Sequence, residues 1–300
     1  MMQRTDLSIV LPIHNSSASR ALAQLPSQLK DLSRGSGPTI DLIVVDDASS
    51  DGTVAVAREA LRGLKNAKLV TLESNGGPGR ARNAGLDFAE GEFVAFVDDD
   101  DVADVGVLLE GVALARRTSA DVVTLGYEET GDGRAPLLVT PMSGESLGPS
   151  LTRRAAVWRF IFRSDFLTTN RVRFPELFYA EDVIFGLRVA EAMPKVESLA
   201  KRAYSYHIRS SGLSGSTPPP QRAEMALQEL MLLQVSSASP EVVSLAHVWA
   251  ARIAFRCRRG LLRTNPRLLA RVTALMVANP KDAWLLARSS RRSRRPRAMP

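Results

Sequence analysis

The alternation of apolar and polar positions divides the chain into two unequal parts. From residue 7 to about 125, short apolar runs alternate with stretches of helical period. Residues 7–12 (LSIVLP) form an apolar run closed by a proline, and 42–46 (LIVVD) a second, rich in β-branched side chains. After the Asp51-Gly52 turn signal, a helix is predicted over 53–64. A strand at 68–72, a helix at 78–90 with Pro78 in its first turn, a strand at 93–97, a helix at 105–117 and a strand at 121–125 follow. Unbroken apolar strands joined by helices predict a largely parallel sheet covered on both faces.

The pattern then weakens. Residues 127–150 are rich in Gly, Pro and Ser and read as a loop, and 151–209 mix aromatic, basic and acidic positions without a clean period. Residues 210–220 (SSGLSGSTPPP) carry the strongest linker signal in the chain. Beyond them helices are predicted over 221–235, 240–264, 267–277 and 281–289, punctuated by Pro240, Pro266 and Pro280. The expected organisation is an α/β domain over 1–215 and a helical region over 216–300, with 288–300 disordered.

Composition adds limits. Three hundred residues, 45% hydrophobic and 24% charged, exclude a mainly disordered, collagen-like or low-complexity chain. A single cysteine, Cys257, excludes an internal disulfide. No apolar run reaches the ~18 residues of a membrane span. The run at 7–13, broken by Pro12, is too short and wrongly flanked for a signal peptide, so a cytoplasmic location is expected. Charge changes the picture more. Residues 251–300 hold 14 Arg and Lys against one acid, Asp282, a local net of +13. The first 250 residues are left at −6 within an overall +7. A mildly acidic body with a basic tail points to a polyanion near the tail alone.

In an open α/β sheet, ligands bind beyond the carboxyl ends of the strands. Three clusters fall at such ends: 46–53 (DDASSDGT), 75–85 (NGGPGRARNAG) and 98–101 (DDDD). Four consecutive carboxylates repel one another and resist burial unless a cation compensates them. As hard oxygen ligands they suit Mg²⁺ or Mn²⁺ rather than zinc, with water and substrate phosphates completing the shell. A solvated acidic loop is the plainer alternative. The glycine loop opens a helix and offers backbone N–H groups to phosphate, with Arg80 and Arg82 adding charge. It is not a P-loop, since no Gly-Lys-Ser/Thr follows, nor a G-x-G-x-x-G fingerprint after the first strand. Two solvated arginines at a helix start are its plainer alternative.

Taken in order, residues 8–15 (SIVLPIHN), 43–53 (IVVDDASSDGT), 75–85 and 96–101 (FVDDDD) resemble family 2 glycosyltransferases of the bacterial polysaccharide and cell-surface type. The resemblance runs from residue 7 to about 215. It implies an α/β fold of GT-A type, a Rossmann-like mixed sheet, here with a C-terminal helical extension. It also implies a nucleotide-sugar donor (a UDP-sugar first), inverting transfer to a glycan, polymer or lipid-linked acceptor, and a divalent metal, Mn²⁺ or Mg²⁺. Carried over, Pro12, His14 and Asn15 line the nucleotide pocket, and Asp47 pairs with the base edge. Arg82 and Asn83 lie near the nucleotide and sugar. Asp98 and Asp100 are the D-x-D pair, Asp100 contacting the metal and Asp98 the ribose or the metal. Asp99 joins the donor-binding set, and Asp101 fits an acidic position that follows the pair.

Downstream, Trp158, Phe162, Phe166 and Phe174-Pro175 resemble the family's acceptor-side segment. Its usual W-N-K trio is replaced by Trp158-Arg159-Phe160. Residues 179–185 (YAEDVIF) resemble the motif that supplies the base, which makes Asp182 the base and Glu181 its partner. A helix start that favours acids is the alternative. Residues 204–214 (YSYHIRSSGLS) resemble the segment that closes over the diphosphate. Arg209 and Ser214 then bind phosphate, and His207 is a further metal or phosphate contact.

In the tail, Arg252, Arg256, Arg259 and Arg263 share a helical face beside an apolar stripe of Val242, Leu245, Trp249, Ile253 and Cys257. A basic amphipathic helix suits an anionic membrane surface, which would place the enzyme peripherally at the inner face of the membrane. The alternative is packing on the α/β domain or on a second copy in a homo-oligomer. Two other functions compete. A nucleic-acid-binding role for the tail is disfavoured by the −6 body and the lack of interleaved aromatics, so no nucleic-acid partner is expected. A sugar nucleotidyltransferase would open with a Gly-rich, Arg-containing loop where this chain has His14-Asn15-Ser16-Ser17.

Overall fold

The structure is a computed structural model that describes residues 5–32, 37–131, 135–208, 218–279 and 281–282. Its centre is a sheet in the order β3-β2-β1-β4-β8-β6-β9-β5, with β7 paired to β6. Strands β1 (Leu7–Ile13), β2 (Ile40–Asp46), β3 (Ala67–Thr71) and β4 (Phe93–Phe96) run parallel, with Val10 level with both Ile43 and Phe96. Every residue of β1, β2 and β4 is buried, because helices cover both faces. The pleat sends Leu7, Ile9 and Leu11 to one core with α1 (Arg20–Leu32) and α4 (Val105–Thr118). It sends Val10, Ile43 and Phe96 to the other, which also takes in α7 (Glu181–Glu191). There α3 (Pro78–Asp87) sits directly on β1, because a Cβ at Gly85 would clash with Val10.

The expectation of a largely parallel sheet holds only for this half. Strand β8 (Phe160–Arg163) is antiparallel to both β4 and β6 (Val122–Thr130). Strand β9 (Val196–His207) is parallel to β6 and antiparallel to the short β5 (Val102–Ala103). The sheet is therefore mixed. The predicted loop over 127–150 is also corrected, since β6 continues to Thr130 and β7 (Leu137–Val139) and α5 (Leu147–Arg153) follow. The end of β6 beyond Tyr127 is polar (EET), and β7 (LLV) is only three residues long and largely exposed. The sequence reading names no element at 20–32, where α1 turns Ala21, Leu22, Leu25, Pro26 and Leu29 inward at helical spacing. The short α2 (Thr53–Ala60) and α6 (Ser164–Thr169) complete this part.

The C-terminal helices are α8 (Pro220–Ser236), α9 (Pro240–Thr264) and α10 (Pro266–Ala278). The predicted apolar stripe of α9 faces the protein: Val242, Leu245, Ile253 and Cys257 are buried in the same cluster as α7. Arg252 donates to the carbonyl of Thr152. The stripe is thus occupied by packing on the body, and the sequence reading that gave it to a membrane is corrected there. Most of the 210–220 linker, and everything beyond Asp282, lies outside the described residues. Among those residues no helix is long and apolar enough to cross a membrane.

Candidate active site

Parallel strands deliver their carboxyl ends to one edge of the sheet. The residues following β1, β2 and β4 therefore meet, and with the start of α7 and the end of β9 they enclose a cavity of about 510 Å³. Pro12, His14, Asp47, Asp98, Asp99, Asp100, Glu181, Asp182, Arg82 and His207 all line it. They come from segments more than 190 residues apart in the chain, and the fold alone brings them together.

One end is built around Asp47. Its backbone N–H donates to Ile13 O at 2.9 Å, and its carboxylate accepts from Gly76 N (2.9 Å) and Gly77 N (2.7 Å). Gly77 has φ +84°, where L side chains are strained. These contacts correct the expectation that the glycine loop cradles phosphate, because two of its N–H groups already serve Asp47. Arg80 lies outside the cavity and donates to Ser74 Oγ at 3.0 Å. The His14 ring is fixed at both nitrogens, by the Asp47 carbonyl (2.8 Å) and by Asn75 Nδ2 (2.9 Å). Asn15 does not line the cavity; it braces the His14 ring from 3.1 Å and accepts from Ser50 N.

The centre is Arg82. Its guanidinium donates to Asp98 Oδ1 (2.7 Å), Asp182 Oδ1 (2.9 Å) and Glu181 Oε1 (3.0 Å). Burial alone would lower its pKa, but Asp182, Asp98 and Glu181 more than reverse this and raise it. For Asp182, burial pushes the carboxyl up, Arg82 pulls it back, and Glu181 and Asp98 add repulsion, leaving it at about 7. Val157 N donates to its second oxygen at 3.1 Å. Asn83, expected near the donor, lies off the cavity. Its amide makes reciprocal bonds with the backbone of Phe174, at 2.9 and 3.0 Å, and so pins the chain leading to α7. That chain enters the helix through Ala180 at φ 61°.

The acidic turn is tied to β9. Asp101 is buried and accepts from His207 N (2.8 Å) and Tyr204 Oη (3.0 Å), while Tyr204 Oη accepts from Asp98 N (2.9 Å). Burial, then the charges of Asp98 and Asp100, push the Asp101 carboxyl up to about 8. Asp99 is hydrogen-bonded by Ser16 Oγ. Asp98, Asp99 and Asp100 give the cavity an excess of negative charge and the oxygen donors that suit a hard divalent cation, while the His207 ring lies by Thr130 and Gly131. Among the described residues no three acidic, His or Cys side chains form a ready-made metal site. The expected set of Asp98, Asp100 and His207 is therefore not brought together as three ligands, and Asp98 is instead paired with Arg82.

The other wall holds groups the sequence reading missed or placed only loosely. Trp158 stacks on Tyr204 (4.2 Å between centroids, 5°) and on Tyr206 (5.4 Å, 21°). The spacing of 204 and 206 sets both rings on one strand face, a signal that was available. Arg154 lies over Tyr206 at 4.5 Å and pairs with Glu129 at 2.7 Å. Arg159, the departure from the family's trio, is fully buried and donates to the carbonyls of Ser150 and Arg154, which shapes the turn that presents Arg154. Burial lowers its pKa to about 10. Phe178 and Arg222 also line the cavity, and nothing in the local pattern announces them. Arg209 and Ser214 lie outside the described residues.

The profile of glycosyl transferase family 2 matches residues 8–189. The poly(ribitol-phosphate) β-N-acetylglucosaminyltransferase TarS of Staphylococcus aureus (strain MW2) is 30% identical over 213 residues, 68% of this chain and 36% of that protein. A poly(ribitol-phosphate) β-glucosyltransferase of Bacillus spizizenii is 26% identical over 243 residues, 75% of this chain and again 36% of the relative. The chain thus spans little more than a third of these proteins. The crystal structure of S. aureus TarS 1–349 with UDP-GlcNAc aligns at a TM-score of 0.64 and 26% identity, over 84% of this chain and 72% of that one. The fold is GT-A.

Proposed function

Since the chain belongs to glycosyl transferase family 2, we propose that it moves a sugar from a nucleotide-sugar donor to a hydroxyl of a glycan, polymer or lipid-linked acceptor, inverting the anomeric centre. One observation carries the reading: Asp47, Asp100 and Asp182, from three separate stretches of chain, line one cavity. The UDP-GlcNAc bound by the TarS structure supports a UDP-sugar as donor. Residues 1–215 are the catalytic domain in this reading, and 216–300 an added helical region.

Asp47 takes the nucleotide end. The Gly76 and Gly77 N–H groups orient its carboxylate toward a base edge, with Pro12 and His14 beside it. Asp182 is the general base. Arg82 and Val157 N hold its two oxygens, and a pKa of about 7 suits proton transfer near neutrality. It takes the proton of the acceptor hydroxyl as that oxygen attacks the anomeric carbon from the face opposite the diphosphate. Asp100 would hold Mn²⁺ or Mg²⁺, with phosphate and water oxygens as its other ligands, and the ion when bound supplies Lewis-acid stabilisation of charge on the departing diphosphate. Exposed Arg258, Arg259, Arg263, Arg267 and Arg271, with exposed Phe255 and Leu262, support attachment at the cytoplasmic face of an anionic membrane.

A screen of nucleotide sugars for donor hydrolysis, with Mn²⁺ or Mg²⁺ present, tests the reading. Release of nucleoside diphosphate is expected; pyrophosphate would instead mark a sugar nucleotidyltransferase. Asp182→Asn should lose roughly 10²–10⁴-fold in transfer while still binding donor. Full activity in that variant rejects Asp182 as base.

A further inference from the structure

Helix α8 sends one side chain into the cavity. Arg222, in its first turn, lines the wall and lies over the Phe178 ring, 4.8 Å from the centroid. Phe178 in turn abuts the loop that holds Asp47, for a Cβ added at Gly77 would stand 2.9 Å from Phe178 Cδ1. The guanidinium is therefore on the same wall as the nucleotide end. Its placement is fixed from behind. Ala223 and Ala226 are fully buried, and Pro220 rests on Gly260, where a Cβ would come within 2.6 Å of Pro220 Cγ. Thr264 Oγ1 donates to Glu224 one turn along.

The other two guanidinium groups on the wall are already engaged, Arg82 by three carboxylates and Arg154 by Glu129. Arg222 forms no ion pair among the described residues; its recorded partner is an aromatic face. A guanidinium whose partner is a ring face uses none of its N–H groups on an acceptor there, and those groups match the oxygens of phosphate. A lysine or a neutral donor would not offer the same two-point contact. The remaining charged groups of the wall are mostly carboxylates, so an anionic ligand needs a cation from the protein where it approaches them.

We infer that Arg222 contacts a phosphate of the ligand bound in this cavity, so that the C-terminal helices complete the binding site. The phosphate belongs to the donor's diphosphate or to a phosphate-bearing acceptor. The donor alternative rests on the function proposed above.

Calorimetric titration of the full chain with UDP and with uridine, Mn²⁺ present, compares wild type, Arg222→Gln and Arg222→Lys. If the phosphate is the donor's, Arg222→Gln weakens UDP about tenfold or more and leaves uridine unchanged, and Arg222→Lys recovers part of the loss. If it is the acceptor's, the UDP-to-uridine ratio stays constant, and glycerol 3-phosphate binds wild type but not Arg222→Gln. Unchanged UDP binding in the glutamine variant, with glycerol 3-phosphate either unchanged or not bound by wild type, overturns the inference, as does a wild type that binds neither UDP nor glycerol 3-phosphate. A wild type that binds glycerol 3-phosphate but no UDP refutes the donor reading and leaves the second arm to judge Arg222. Thermal melts of the two variants confirm that each is folded.

Discussion

Arg82→Gln is the most exacting perturbation of this site. The guanidinium makes three charged hydrogen bonds at 2.7–3.0 Å, and its side chain is only 4% exposed. Its carboxylate partners are between 11% and 27% exposed, so part of each interaction is screened by solvent. Breaking a buried pair costs ~3–5 kcal/mol, and with that screening a loss of about 2–3 kcal/mol in folding stability is expected. The effect on chemistry is more specific. Burial pushes the Asp182 carboxyl up and Arg82 is the cation that holds it at about 7. Removing a neighbouring opposite charge raises a carboxyl pKa by roughly 1–3 units. With one to two units, the ionised fraction at pH 7 falls from about half to roughly 1–9%, a drop of about 5- to 50-fold in a step that needs the carboxylate. The assay is kcat/KM for donor consumption in the presence of acceptor, from about pH 5.5 to 9.5. The rising limb of the profile should move up by at least one pH unit relative to wild type, with much of the lost rate recovered at the alkaline end. Stability gives an independent sign. A carboxyl whose folded pKa lies above its unfolded value favours folding when protonated, and that contribution is lost as pH rises through the folded pKa. In wild type that loss falls between about pH 4 and 7; in Arg82→Gln it extends further up, so melts of the variant should deteriorate more between neutral and alkaline pH. A pH midpoint identical to wild type would refute the idea that Arg82 tunes Asp182.

Other outcomes follow from the same geometry. Asp100→Ala should abolish the gain in UDP affinity that Mn²⁺ produces, and calorimetry showing an unchanged gain would exclude Asp100 as the metal contact. Gly77→Ala places a Cβ 2.9 Å from Phe178 at φ +84° and should cost about 1–3 kcal/mol in denaturant melts while weakening nucleotide binding. Wild-type behaviour in both measurements would contradict the tight approach of Phe178 to the Asp47 loop. Co-sedimentation with vesicles should need anionic lipid and decline with salt, through Arg259, Arg263, Arg267 and Arg271. Binding indifferent to either variable would remove the membrane from the proposal.

Much of the molecule is legible in its sequence. The runs that became β1, β2 and β4 are buried at every position and apolar at all but Ser8, Asp41 and Asp46, because helices cover both faces, and that burial is what a nearly continuous apolar run records. The acidic and glycine clusters are recognisable because they follow such runs directly. The long period of α9 is equally clear, and its stripe of Val242, Leu245, Trp249, Ile253 and Cys257 reads as one face. What that face packs against is not legible, since a stripe facing a neighbouring helix and one facing lipid have the same spacing.

The remainder depends on how distant segments meet. No local pattern distinguishes an antiparallel β8 from a parallel one; the direction is set by which neighbours, β4 and β6, its backbone groups can pair with. Residues 78–90 and 179–185 each carry charged side chains that a solvated helix start would explain. Only the packing of α3 beside α7 makes Arg82 the shared partner of Asp98, Glu181 and Asp182, and only that shared burial brings Asp182 to about 7. The same holds for the glycine loop, whose N–H groups turn to Asp47, and for Arg222, which reaches the cavity from beyond the linker. Hydrophobic period is a short-range property of the chain, so sequence fixes elements and strand-end motifs. Desolvation and charge pairing act through space, so the state of each site group is decided by tertiary contact.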